Sequence, residues 1–213
     1  MTKRSMSRRA MLIASAGAAA ATTIGCSERT SETIDAFVLD DGAICAPTRA
    51  DLKGPFFEPG APMRIAIADV GDPGERLILN GRILGTDCAV MLAGVAIEVW
   101  QADRDGRYYT AAQAYRLRGQ VTTDASGMFR VETIRPGNYL QGTGYRPAHI
   151  HFTFARAGYR TVTTQVYFAG DPYLAPVDSC GTCGSDDDAR IIALTGNAAG
   201  GWTGDLRIVL APA

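Results

Sequence analysis

The sequence predicts an all-β domain, an antiparallel two-sheet β-sandwich with long wrapping loops. Three observations carry that expectation. Apolar residues alternate with polar ones in short runs, as at Val95, Ile97 and Val99, the period of a strand with one buried face. Turn-forming clusters punctuate the runs: Asp103-Arg104-Asp105-Gly106, Asp124-Ala125-Ser126-Gly127 and Arg135-Pro136-Gly137-Asn138. Long amphipathic helices are absent.

The 213 residues suffice for one domain with its own hydrophobic core plus a leader. Residues 1–26 have the pattern of an export signal, with Lys3, Arg4, Arg8 and Arg9 ahead of an uncharged, alanine-rich stretch. Ser7-Arg8-Arg9-Ala10-Met11-Leu12 resembles a twin-arginine signal, and the stretch that follows is too short and too weakly apolar for a membrane span. Thr23-Ile24-Gly25-Cys26 resembles a lipoprotein box with threonine in place of the usual aliphatic residue, so membrane contact is expected only through a lipid on Cys26. The expectation is therefore a periplasmic or otherwise exported protein.

Setting aside the four basic and no acidic residues of the leader moves the formal net charge from -1 to -5. A domain this acidic is a poor nucleic-acid binder. Beyond Cys26 lie Cys45, Cys88, Cys180 and Cys183, which allow three pairings. In an oxidising compartment we expect Cys45 with Cys88 and Cys180 with Cys183. The Cys180-Gly181-Thr182-Cys183 spacing also suits a redox pair or half of a zinc site, but no βαβ pattern surrounds it and there is no second such motif.

Residues 27–53 are polar and irregular. Within the domain at 54–213, Gly54-Pro55-Phe56-Phe57-Glu58-Pro59-Gly60-Ala61-Pro62 is a wrapping loop, since proline and glycine keep it out of helix and central strand. Strands are expected at 77–84, 95–101, 128–132, 148–156, 161–168 and 206–210. A short helix is expected within 185–194, capped by Ser185 or an aspartate.

His149 and His151 are the only histidines. In an extended segment positions i and i+2 share a face, so the two imidazoles converge, as metal ligands do. Ile150, Phe152 and Phe154 then face the core. The plain alternative is two imidazoles satisfied by polar neighbours.

Several separate motifs resemble the intradiol ring-cleavage dioxygenases, especially their protocatechuate-cleaving β subunits. These are Glu98-Val99-Trp100-Gln101-Ala102-Asp103 with Gly106-Arg107-Tyr108, Asn138-Tyr139, Arg146-Pro147-Ala148-His149-Ile150-His151-Phe152 and Thr164-Gln165-Val166-Tyr167-Phe168-Ala169-Gly170-Asp171-Pro172. Tyr145 stands where the β-subunit pattern carries tryptophan.

The resemblance implies a β-sandwich binding one non-haem iron(III) through Tyr108, Tyr139, His149 and His151. Tyr139 is then the ligand that leaves when substrate chelates. Arg146 offsets charge on the bound ring and Gln165 lines the oxygen side. The implied reaction joins a catechol-type substrate with O2 to give a muconate-type diacid, and relatives suggest a possible homo-oligomer.

Each residue has a plainer role beside the implied one. Tyrosines after turns often plug sandwich corners, and Tyr109 adjoins Tyr108. Arg146 could be a salt-bridge partner, Gln165 a strand-surface residue and Trp100 core. Two rival functions follow, a non-catalytic transthyretin-like binding module and a zinc hydrolase using the histidine pair. The full set of four ligands speaks against the first, and the absence of a third histidine against the second.

Overall fold

The computed structural model describes residues 45–213, so the leader and the lipoprotein box lie outside the described residues. Eleven strands follow in order: β1 Arg76–Gly85, β2 Ala96–Gln101, β3 Arg118–Thr122, β4 Met128–Ile134, β5 Tyr139–Gln141, β6 Gly144–Arg146, β7 His149–Ala155, β8 Val162–Phe168, β9 Ile191–Ile192, β10 Leu194–Asn197 and β11 Gly201–Leu210. One sheet has the order β10-β11-β1-β4 and the other β3-β2-β7-β8-β9, with β5-β6 as a separate hairpin.

The sandwich is as expected, and most pairs are antiparallel. Two are parallel, β1 with β11 and β8 with β9. Both join segments distant in the chain, so no local turn signal announces them.

Alternation explains the core. In β1, Leu77, Leu79 and Ile83 face inward, and in β11 Leu206, Ile208 and Leu210 do the same. They meet Ile97 and Val99 of β2, Ile150, Phe152 and Phe154 of β7, and Val162, Val166 and Phe168 of β8 in one apolar cluster. Removing such side chains from water is the main drive for folding. Gly81 admits the Phe129 ring, since a Cβ there would lie 2.2 Å from it.

The expected short helix is a single 3-10 turn, Asp188–Arg190, capped by Asp187, whose side chain accepts from the Ala189 amide. It extends no further because the β-branched pair Ile191–Ile192 pairs with β8. Residues 45–53 form no element and dock by hydrogen bonds, the Thr48 amide donating to the Val209 carbonyl and the Asp51 amide to that of Thr163. Both expected disulfides are present, Cys45–Cys88 and Cys180–Cys183.

Candidate metal centre

Strand β7 is buried on both faces, and this makes a site possible. Ile150, Phe152 and Phe154 take the sandwich face, so period-2 geometry turns His149 and His151 to the other. There a row crosses three strands in register, Trp100 opposite His151 and His151 opposite Gln165, with Tyr167 opposite His149. This outer face is covered rather than solvated. The loop after Gly54 lies over it, a Cβ at Gly54 falling 3.6 Å from His151 Cε1. Phe57 packs edge-on against Trp100, and Trp100 stacks on His151 with ring centres 4.8 Å apart.

Two turns deliver the tyrosines. The Asp103 carboxylate organises the first: Oδ1 accepts from the Asp105 and Arg107 amides at 2.8 and 2.9 Å, while Oδ2 accepts from the Tyr109 hydroxyl at 2.6 Å. Tyr109 is thereby committed to its own turn and Tyr108 points inward. The second turn docks on the first, the Gly106 and Gly137 amides both donating to the Asp103 carbonyl. Gly106 has φ +81, and a Cβ there would lie 2.5 Å from the Asn138 carbonyl oxygen and 2.8 Å from Tyr139 Cβ. Only glycine meets both demands.

The result is a convergence of donors. Tyr108 Oη lies 3.3 Å from His149 Nε2 and 3.2 Å from His151 Nε2, and the two imidazole centres are 4.8 Å apart. The Tyr139 ring sits edge-on to Tyr108 at 5.8 Å and 5.7 Å from His149. Phe56 stacks on Tyr108 at 4.3 Å and meets Tyr139 edge-on. Among the described residues no three His, Cys, Asp or Glu side chains gather to hold a metal ion, so any such site here depends on the phenols.

The electrostatics favour neutral imidazoles. Burial, then the nearby Arg146 charge, pushes His149 down to about 3. His151 lies well below its ordinary value through burial, His149 and Arg146. His149 Nδ1 is 2.7 Å from the Pro147 carbonyl, which can only accept, so Nδ1 carries the proton and Nε2 presents its lone pair. Among the described residues His151 Nδ1 is buried without a partner. Burial, reinforced by Tyr139, raises Tyr108 above the ordinary phenol range.

Arg146 is both salt-bridge partner and site residue. Its Nε donates to Asp178 at 2.8 Å, Nη2 to Gln165 Oε1 at 2.8 Å, and Nη1 reaches Tyr139 Oη at 3.4 Å. Gln165 is fully buried, not a surface residue. Its Nε2 donates to the Leu52 carbonyl at 2.8 Å, so both ends of the amide are engaged. Sequence reasoning missed Asp51, Asp178 and Tyr167: Tyr167 Oη donates to Asp51 at 2.9 Å and lies 3.3 Å from Arg146 Nη2. No local signal marks the two aspartates, which reach the site from segments outside the motif strands.

The chain is similar to proteins that share this arrangement of strands. It is 35% identical over 147 residues to a catechol 1,2-dioxygenase of Acinetobacter lwoffii, covering 60% of this chain and 53% of that protein. It is 33% identical over 163 residues to a chlorocatechol 1,2-dioxygenase of Rhodococcus opacus, covering 65% and 63%. The chain thus spans between about half and two thirds of these relatives' length. The solved dioxygenase domain of a dioxygenase and carbohydrate-binding fusion from Streptomyces sp. SirexAA-E superposes with a TM-score of 0.67 at 32% identity, covering 79% of this chain and all of that one. A family model described as a dioxygenase matches residues 52–194. Because that match takes in well over half of the chain and every motif strand, the chain belongs to the intradiol ring-cleavage dioxygenase family.

Proposed function

We propose that this protein is a non-haem iron(III) dioxygenase. It cleaves a catechol-type ring between its two hydroxyl-bearing carbons and places both atoms of O2 in a cis,cis-muconate-type diacid. The observation that carries this is the meeting of Tyr108 Oη with the Nε2 atoms of His149 and His151, with Tyr139 beside them. The names of the relatives, catechol and chlorocatechol 1,2-dioxygenases, support the same reaction class.

The donor set fits a hard, oxidised ion. Donors bound to one first-row ion at about 2.0–2.2 Å lie roughly 3 Å apart, which suits the 3.2 and 3.3 Å separations here. Both imidazoles are held neutral, so neither must lose a proton to bind. A buried phenol with its proton retained is a poor ligand until a high charge removes that proton. Tyrosinate therefore favours iron(III) over zinc, which draws thiolate or further histidine, and over calcium, which draws carboxylates.

When bound, the ferric ion supplies Lewis acidity that draws charge from a catechol. The chain supplies the rest. Tyr108, Tyr139 and the two histidines would hold the ion, both phenols as tyrosinates. Tyr139 Oη, which among the described residues touches only Arg146 Nη1, would as tyrosinate take a proton from one catechol hydroxyl and swing aside. The Arg146 guanidinium stays protonated and offsets negative charge on the ring. Trp100, Phe56 and Phe57 keep water from the histidine face. The two disulfides and the leader support export to an oxidising compartment.

The test is the visible spectrum of the iron-loaded protein, before and after anaerobic catechol and then oxygen. A tyrosinate-to-iron band that moves to longer wavelength, followed by a diacid carrying two oxygen atoms from O2, is expected. A colourless iron-replete protein, or a band indifferent to catechols, overturns the reading and favours a transthyretin-like binding module.

A further inference from the structure

The Cys180-Gly181-Thr182-Cys183 motif touches no candidate ligand, yet the segment around it reaches the site through one carboxylate. Asp178 is buried, its side chain 3% exposed, and Oδ1 pairs with Arg146 Nε at 2.8 Å. The same oxygen accepts from the Cys180 amide at 2.9 Å, and Oδ2 accepts from the Ser185 hydroxyl at 2.7 Å. One carboxylate is thus gripped from both sides of the disulfide, by the Cys180 amide at its first cysteine and by Ser185 two residues past its second. Beyond the disulfide the Gly184 amide donates to Asp51 at 3.2 Å, and Asp51 accepts from Tyr167.

The edge of Arg146 that Asp178 uses is decisive. Binding through Nε occupies the back of the guanidinium and leaves Nη1 and Nη2 facing Tyr139, Gln165 and Tyr167. Among the described residues Asp178 is the only carboxylate within ion-pair distance of Arg146. Gln165 and Tyr167 are neutral, weaker partners, themselves held by the Leu52 carbonyl and Asp51. The charged bond to Asp178 on the Nε edge is the strongest single hold on the guanidinium.

We propose that Asp178, clamped by the Cys180 amide and the Ser185 hydroxyl on either side of the Cys180–Cys183 disulfide, is the positioning residue that aims Arg146 at the catechol site. The claim rests on the dioxygenase reading and deepens it: Asp178 sets turnover through Arg146 while leaving metal retention alone.

The test uses the full chain with Asp178→Asn, Asp178→Glu and the double variant Cys180→Ser/Cys183→Ser. In metal-free protein with 15N-labelled arginine, the Arg146 Nε–H of wild type should exchange slowly. In D178N and in the disulfide variant it should exchange roughly tenfold faster or more. In iron-loaded protein, kcat should fall by roughly ten- to a hundredfold in D178N, with iron content and resting band unchanged and partial recovery in D178E. In an Arg146→Met background, D178N should alter kcat by no more than about twofold. Equal protection of Nε–H in wild type and D178N overturns the proposal, as do additive losses across the double-mutant cycle or iron loss in step with activity. Should D178N fail to fold, the disulfide variant carries the same measurements with every carboxylate in place. A wild type that responds in the exchange experiment but turns over no catechol overturns the dioxygenase reading instead, and with it the claim on turnover.

Discussion

Replacing Gly106 with alanine should strain the joint that sets the two tyrosines relative to each other. The residue sits at φ +81, which costs an L-residue about 1–2 kcal/mol. The new Cβ would also lie 2.5 Å from the Asn138 carbonyl oxygen and 2.8 Å from Tyr139 Cβ. Reaching an ordinary contact requires the 135–139 turn to retreat by about 0.9 Å, and overpacking of this kind costs about 1–3 kcal/mol. Together about 3 kcal/mol is lost, which lowers the unfolding midpoint of a chain this size by roughly 6–12 °C. Gly94→Ala is the control: φ there is +70 but nothing lies within 4 Å of the added carbon, so only the backbone cost applies, roughly 2–8 °C. Thermal unfolding of both metal-free variants measures the difference. In iron-loaded G106A the tyrosinate band should shift as well, because Tyr139 has moved. If G106A melts with G94A and keeps the wild-type band, the turns do not set the tyrosine geometry.

Three further outcomes follow from the same contacts. Tyr108→Phe should abolish stable iron binding and the tyrosinate band, whereas Tyr109→Phe should keep both and lose about 1 kcal/mol from the missing bond to Asp103; metal analysis with denaturant titration separates them. His149, held at about 3 in the folded protein against an ordinary 6.5, gains a proton only on unfolding between those values. The unfolded state thus binds more protons there, and metal-free stability should be level above about pH 7 and fall as pH drops below 6.5, by up to about 1.4 kcal/mol per unit from His149 alone, with His151, also held down by burial, steepening the fall; a flat midpoint from pH 7 to 5 would contradict the burial argument. Removing Cys45–Cys88, which spans a sequence separation of 43, should cost about 4 kcal/mol by loop entropy, against about 2 kcal/mol for the four-residue loop at Cys180–Cys183, as measured by denaturant midpoints.

How much of this was legible in the sequence depends on the range of the interaction. The histidine pair was, because i, i+2 spacing on an apolar strand fixes a shared face with no tertiary knowledge. So were the two tyrosine-bearing turns, whose Asp-Gly and Pro-Gly signals are local. The choice between Tyr108 and Tyr109 was not, since either could point inward until Asp103 bonds the Tyr109 hydroxyl. Strand β3 escaped because its core-facing positions are Gly119, which leaves room for Ile67, and Val121, so a single apolar side chain marks its alternation. The first half of β11 escaped for a similar reason: Gly204 is small so that Leu194 and Ile192 can pack over it, which hides its strand signature.

The two phenols differ in a way that bears on exchange of substrate. Tyr108 Oη is bracketed by two imidazole nitrogens, so withdrawing it would leave three buried polar groups without partners, each costing about 1–3 kcal/mol. Tyr139 sits on a three-residue strand, paired with Arg146 across a hairpin that turns at Gly142, and among the described residues its hydroxyl has one long contact, to Arg146 Nη1. Moving it aside breaks one weak bond and leaves the guanidinium with Asp178, Gln165 and Tyr167. Under the proposed function the phenol expected to depart is therefore Tyr139, which would leave Arg146 facing the incoming anionic ring. A Tyr139→Phe variant should accordingly still bind iron, more weakly than wild type, with a diminished charge-transfer band. Unchanged iron affinity and an unchanged band would show that Tyr139 is not a ligand.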